Sequence, residues 1–303
     1  MKHYKFKRCI SLLLSVMVFV VMTMVSATEV DAASSKTFYV PKTEKTTYVY
    51  TSTYEDGTTN TDKESWTTSY YYGKNGLENK YTSESGTSKI SRNSKGYVTG
   101  VKSYDKNGKL QSTTTYTRKS NGDATKMKSY DYSSGKKKLS FTSTYTYWRK
   151  GVIKKSTRKD ADGSTTVYNY NKKGNITSYS ADGGKYKTTY KHTFKNGRLA
   201  KEVATNSGSN NDGSVATTTF TYKVKNGKVI KEVATCTTKY KDGTTDKRVT
   251  TSTYTYNSKG KITKTVSETK ADYAYGGSYT SKMTTTTTYK KVSVNKKYWK
   301  LFN

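Results

Sequence analysis

Along most of the chain apolar and polar positions alternate with a period of two, and the apolar positions are mostly tyrosine. In the stretch Thr253 to Lys264, Tyr254 and Tyr256 project to one face of an extended strand while Thr253, Thr255 and Asn257 project to the other. A run of Tyr and Thr bounded by Asn, Ser and Gly predicts a strand that ends in a turn. A three-residue loop, Ser258-Lys259-Gly260, closed by Gly260 in the left-handed region, sets Tyr256 opposite Ile262 on a shared face. The same six-residue step recurs from Tyr104 to Leu110, Tyr147 to Ile153 and Tyr170 to Ile176. Two-residue Asn-Gly turns instead pair Phe194 with Leu199 and Val224 with Val229. Turn chemistry and side-chain parity agree in both variants.

Two classes of turn punctuate the chain. One holds Gly108, Gly151, Gly174, Gly197, Gly227 and Gly260, each followed closely by Val, Ile or Leu. The other, mostly Asp-Gly followed by Ser or Thr, holds Gly122, Gly163, Gly183, Gly213, Gly243 and Gly276. Turns at opposite ends of successive strands predict an all-β, extended antiparallel meander of repeated hairpins, as a curled or twisted single sheet of about fifteen strands. The organisation expected is a signal segment at 1–32, a polar leader at 33–45, the hairpin region at 46–289 and a C-terminal cap at 290–303. Hydrophobic residues are 31%, with 30 tyrosines and a single proline, which favours a thin aromatic sheet over a thick aliphatic core.

Lys2, Lys5, Lys7 and Arg8 precede an apolar run from Ile10 to Val25, and Val30-Asp31-Ala32 offers small residues for cleavage, the pattern of a secretory signal. Its removal leaves Cys236 as the remaining cysteine and a net charge of about +31, against +33 for the whole chain. One cysteine forms no internal disulfide, which suits a Gram-positive exterior.

The unit Tyr168-Asn169-Tyr170-Asn171-Lys172-Lys173-Gly174-Asn175-Ile176, and its copy from Tyr254 to Ile262, resembles the bacterial YD repeat of RHS-type proteins. Looser copies start at Tyr104 and Tyr145, so the resemblance spans most of residues 100 to 265. It implies a curling β-sheet and a bacterial surface setting. The chain is too short to enclose a toxin segment as large family members do.

Enzyme chemistry finds little footing. His192 sits between Tyr190 and Phe194 in strand parity, many acids fall in turns, no His/Cys cluster has metal spacing, and no cofactor is expected. The charge draws polyanions, while exposed rings offer stacking surfaces for sugars. The expected contacts are Trp148, Trp66, Tyr71 and Trp299, with Lys154 and Lys155 beside them. These features predict a secreted, non-catalytic protein held to the Gram-positive cell envelope by an anionic wall polymer or polysaccharide. Nucleic acid would bind only non-specifically, and no membrane contact is expected after signal cleavage. The alternatives are a structural or adhesive surface protein bound through exposed strand edges, and a glycan-active enzyme.

Overall fold

The computed structural model describes residues 35–209, 213–274 and 276–302; the expected signal segment lies outside the described residues. Among the described residues eighteen strands follow one another. The first six are β1 (Ser35–Thr53), β2 (Thr59–Tyr72), β3 (Glu78–Ser83), β4 (Gly86–Arg92), β5 (Val98–Asp105) and β6 (Leu110–Arg118). The next six are β7 (Ala124–Asp131), β8 (Lys138–Arg149), β9 (Val152–Asp160), β10 (Thr165–Tyr170), β11 (Ile176–Ala181) and β12 (Tyr186–Lys195). The last are β13 (Arg198–Ser207), β14 (Val215–Lys225), β15 (Lys228–Lys239), β16 (Thr245–Tyr256), β17 (Ile262–Asp272) and β18 (Ser278–Asn295). A short 3-10 helix, Lys296–Leu301, follows.

The local pairings are those the sequence dictates. Tyr256 faces Ile262, Tyr147 faces Ile153, Tyr170 faces Ile176 and Tyr104 faces Leu110. Asn257 and Lys261 bracket the three-residue loop with a 2.9 Å backbone bond, and Gly260 has φ +74°. In the two-residue turns both central residues have positive φ, Asn196 and Gly197 at 51° and 73°, Asn226 and Gly227 at 49° and 73°.

The expectation of a single curled sheet is corrected at the largest scale. Every strand pairs antiparallel with its successor, and β18 pairs with β1 from Ser35–Asn295 to Thr53–Ser278, so the meander closes into an 18-stranded barrel. Following the register once around the ring returns to β1 displaced by about 20 residues, which corresponds to a strand tilt of about 37°. That tilt lies within the usual range for barrels, and closure satisfies the two sheet edges that an open meander would leave unpaired. Residues 35–45, expected as an unpatterned leader, are the first part of β1 and pair with the end of β18.

Which face points inward follows from crowding, because side chains converge on the concave side of a closed wall and splay on the convex side. Thr46, Ser52, Ser88, Ser143, Ala181, Ser252, Ser267, Thr269 and Ala271 are all buried, and register places every one on the face shared with Tyr48, Tyr50, Tyr145, Tyr168, Tyr254 and Tyr279. Small residues shaded by tyrosine neighbours identify this face as the interior. Ser252 and Ser267 join hydroxyls across it at 2.9 Å.

The apolar core is small and sits at one rim. Phe38, Val40, Leu77, Val294 and Tyr298 are buried together, with Trp299, Leu301 and Phe302 packed against them. The 3-10 helix thus covers the turns 73–77 and 93–97, and the Tyr298 hydroxyl reaches the Ser94 carbonyl.

Two glycines of opposite surroundings test the packing. Gly86 has φ +145°, and a Cβ there would collide with the Tyr104 carbonyl on β5. Gly163 has φ +88° with open space around it. Gly86→Ala is expected to destabilise the barrel by more than about 2 kcal/mol and Gly163→Ala by about 1 kcal/mol, read from urea midpoints.

Candidate functional site in the barrel lumen

At the rim that carries the turns after β6, β8, β14 and β16, a side chain just before each turn reaches back to the carbonyl just after the previous turn on that rim. Tyr147 donates to Ala124 O at 2.7 Å, Tyr222 to Leu199 O at 3.0 Å, Tyr256 to Val229 O at 2.8 Å and Tyr289 to Ile262 O at 2.7 Å. Arginine takes the same place twice. Arg92 Nε donates to Glu78 O at 3.0 Å, and Arg118 Nε donates to Val98 O. Six strands, β4, β6, β8, β14, β16 and β18, are thereby tied to the preceding hairpin by an inward side chain, independently of the strand ladder.

Between the rims the two faces differ sharply in chemistry. Lys63, Lys102, Lys128, Lys191, Lys231, Lys247 and Lys282 all occupy outward register positions. The inward basic residues include Arg92, Arg118, Arg158 and Arg248, with His192, while Lys138 and Lys291 take inward positions toward their strand ends. The rest of the interior is mainly Tyr, Ser and Thr, with a few carboxylates and scattered apolar residues such as Met127, Phe141, Phe220 and Ala234. Glu44 accepts from the Tyr70 hydroxyl at 2.6 Å, Asp160 pairs with Arg158 at 2.6 Å, and Glu202 meets His192 at 3.0 Å. Glu232, between Tyr222 on β14 and Ser252 on β16, has no hydrogen-bond donor at its carboxylate among the described residues. Burial alone lifts its carboxyl above the usual range.

With strands about 4.8 Å apart and tilted as above, a circular section has a backbone radius of about 17 Å, leaving a bore of about 20 Å inside the tyrosines. Ring contacts such as Tyr168–Tyr179 at 5.2 Å and Tyr70–Tyr81 at 6.5 Å join adjoining strands along the wall. The connections are short turns, and among the described residues none folds inward across the bore.

The residues expected to contact a polymer are not brought together. Trp148 is a bulge residue on the outer side, 41% exposed, with Lys154 at 4.6 Å from its ring and its Nε1 donating to Tyr170 O at 2.7 Å; Lys155 is exposed nearby. Tyr71 is outward and lies under Lys80 at 4.0 Å. Trp66 belongs to the part of β2 that pairs with β1 alone and projects past β3. Trp299 is half-buried in the rim core, donating to Val294 O at 2.8 Å. Cys236 points into the lumen opposite Thr218 and Arg248. Of the first class of turn glycines, Gly151, Gly174, Gly197, Gly227 and Gly260 share one rim, whereas Gly108 lies at the other, with Gly163 and Gly243.

No protein-family model matches the chain, and no curated protein matches it by sequence. Among solved structures it is similar to a porin-like protein from Bacteroides uniformis, at 15% identity and TM-score 0.40 over 82% of this chain and 96% of that one. A mutant porin of Rh. blastica gives 9% identity and TM-score 0.43, over 82% of this chain and all of that one. A TcdB2-TccC3-TEV structure gives 12% and 0.24, this chain spanning 16% of it. These likenesses concern shape alone.

Closure corrects the expectations that rested on an open sheet. The resemblance to YD-repeat, RHS-type proteins does not hold, because the hairpins form one closed barrel and not a winding sheet. The secreted protein bound to Gram-positive wall polymers or glycans, with no membrane in play, falls with it: its expected contact residues form no common surface, Trp148 and Tyr71 standing on the outer wall and Trp299 in the rim core. The adhesive alternative needed exposed edges, and β1 and β18 pair with each other; the glycan-active enzyme gains no support from the barrel either.

Each tyrosine whose pKa is raised points inward, burial being the main cause, and Tyr190 and Tyr222 are pushed up to about 12. A raised folded value means stability that is whole below the ordinary value near 10 and drains away as pH climbs through the folded value. Phenolate absorbance is expected to lag for the inward tyrosines and to rise together with loss of β circular dichroism between about pH 10 and 12. Complete titration near pH 10 with the strands intact would refute the assignment of the inner face.

Proposed function

We propose that the protein works through its lumen, as a non-catalytic, open-bored barrel that admits small polar solutes to a tyrosine- and hydroxyl-lined interior. The observation that supports this reading most is the segregation of the two faces: most strand lysines stand outside, while the inner wall is mainly phenols, hydroxyls, arginine and a few carboxylates around a bore that none of the described residues crosses. Larger antiparallel barrels enclose ligand cavities or aqueous channels, and a polar inner wall is what a water-filled bore requires. The inner carboxylates favour passage or holding over chemistry, since Glu44, Asp160 and Glu202 are each engaged with a structural partner.

Cys236 reports on the bore directly. In full-length protein with Cys9→Ser, a small water-soluble maleimide is expected to label Cys236 in the folded state, while a maleimide on a polymer wider than the bore labels it only after denaturation. Folded protein that excludes both reagents, or admits both equally, would contradict an open bore of limited width.

A further inference from the structure

Glu232 is an inner carboxylate of the mid-wall with no charge or hydrogen-bond partner among the described residues; Glu64 and Glu78, also inward, lie on β2 and β3. On β15 it pairs across to Tyr222 on β14, and on the other side to Ser252 on β16, two residues before Tyr254. Register thus sets Tyr222 directly across from the carboxylate on one neighbouring strand and Tyr254 diagonally from it on the other, and its charge helps to raise both phenols. Tyr222 is held in place through its hydroxyl on Leu199 O at 3.0 Å. The chain's own lysines cannot neutralise the carboxylate from within, because Lys231, its neighbour in sequence, faces outward opposite Thr253 and Lys223. Arg248, the inward cation of β16, stands opposite Cys236, four residues along β15.

A carboxylate with phenol rings on both neighbouring strands and no cation paired to it among the described residues is the chemistry that recognises ammonium: charge from the acid and cation–π attraction from the rings. We infer that Glu232, Tyr222 and Tyr254 form a site on the lumen wall for the ammonium group of an organic cation. The site rests on the proposed solute-admitting bore, and it names the class of solute.

Two matched reporters separate the inference from that reading. In full-length protein with Cys9→Ser and Cys236→Ser, a cysteine is placed either at Ala234, inward and two residues from Glu232, or at Thr235, one residue on and outward opposite Val249. Rates are measured for a trimethylammonium-bearing and a sulfonate-bearing methanethiosulfonate, each relative to free cysteine. At 234 the cationic reagent is expected to be favoured by at least about threefold, and at 235 the lysine-rich outer face favours the anionic one. Glu232→Gln abolishes the preference at 234. With Glu232 intact, tetramethylammonium slows the cationic reagent at 234 and leaves 235 unchanged. Equal or anionic preference at 234, or no protection by tetramethylammonium, overturns the ammonium site while the bore stands. Failure of both reagents to reach 234 overturns the bore itself.

Discussion

A closed wall has one inside and one outside, and every strand must keep its parity with respect to both all the way around. A one-residue slip anywhere would turn that strand's tyrosines out and its lysines in. The bulges that adjust register, as between Thr255 and Tyr256 or between Thr146 and Tyr147, stand beside the turns, where a parity change can be absorbed. In the middle of the wall the alternation runs without a break through β14, β15 and β16. There Phe220, Ala234 and Thr250 share the inner face, and Thr219, Thr235 and Val249 the outer.

Because the aliphatic core is confined to the rim near the termini, cohesion elsewhere must come from the ladder and from what the inner side chains do. The Tyr-to-carbonyl and Arg-to-carbonyl links along one rim are individually worth about 1 kcal/mol, as ordinary hydrogen bonds between half-buried groups. Their value lies in repetition, since each joins consecutive hairpins and the series runs around much of the ring. The outer face has another task. Its lysines and threonines give the wall a solvated surface, with ion pairs such as Lys282–Glu268 at 2.8 Å that remain largely exposed and contribute little to stability.

Much of the local structure could be read from the residues, because hairpin chemistry is a short-range matter: Gly at the left-handed position, Asn-Gly at the tight turns, and parity across six residues. Closure could not be read that way. The pairing of Thr43 with Thr288 joins residues 245 apart, and nothing in either segment names the other. The direction in which a face points was also hidden. Tyr104–Leu110 and Tyr147–Ile153 obey the same six-residue rule, yet the first pair lies outward and the second inward, because their turns sit at opposite rims. One sign of the site was available and unused: lysine falls in the parity opposite tyrosine on strand after strand, while the few strand arginines fall in the same parity, as in Tyr116-Thr117-Arg118. The strand beginning at Ser35 escaped notice because Pro41 and mixed polar residues conceal its alternation, whereas a bulge between Pro41 and Thr43 accommodates the proline.

The account depends most on the meeting of the first and last strands. Nitroxide labels at Thr47 and Thr284, directly paired across β1 and β18, give the most direct measurement. A closed barrel places them within the range of strong dipolar broadening in the continuous-wave spectrum of folded protein. Labels separated by several tens of ångströms, as at the two edges of an open sheet, would contradict closure and the lumen with it.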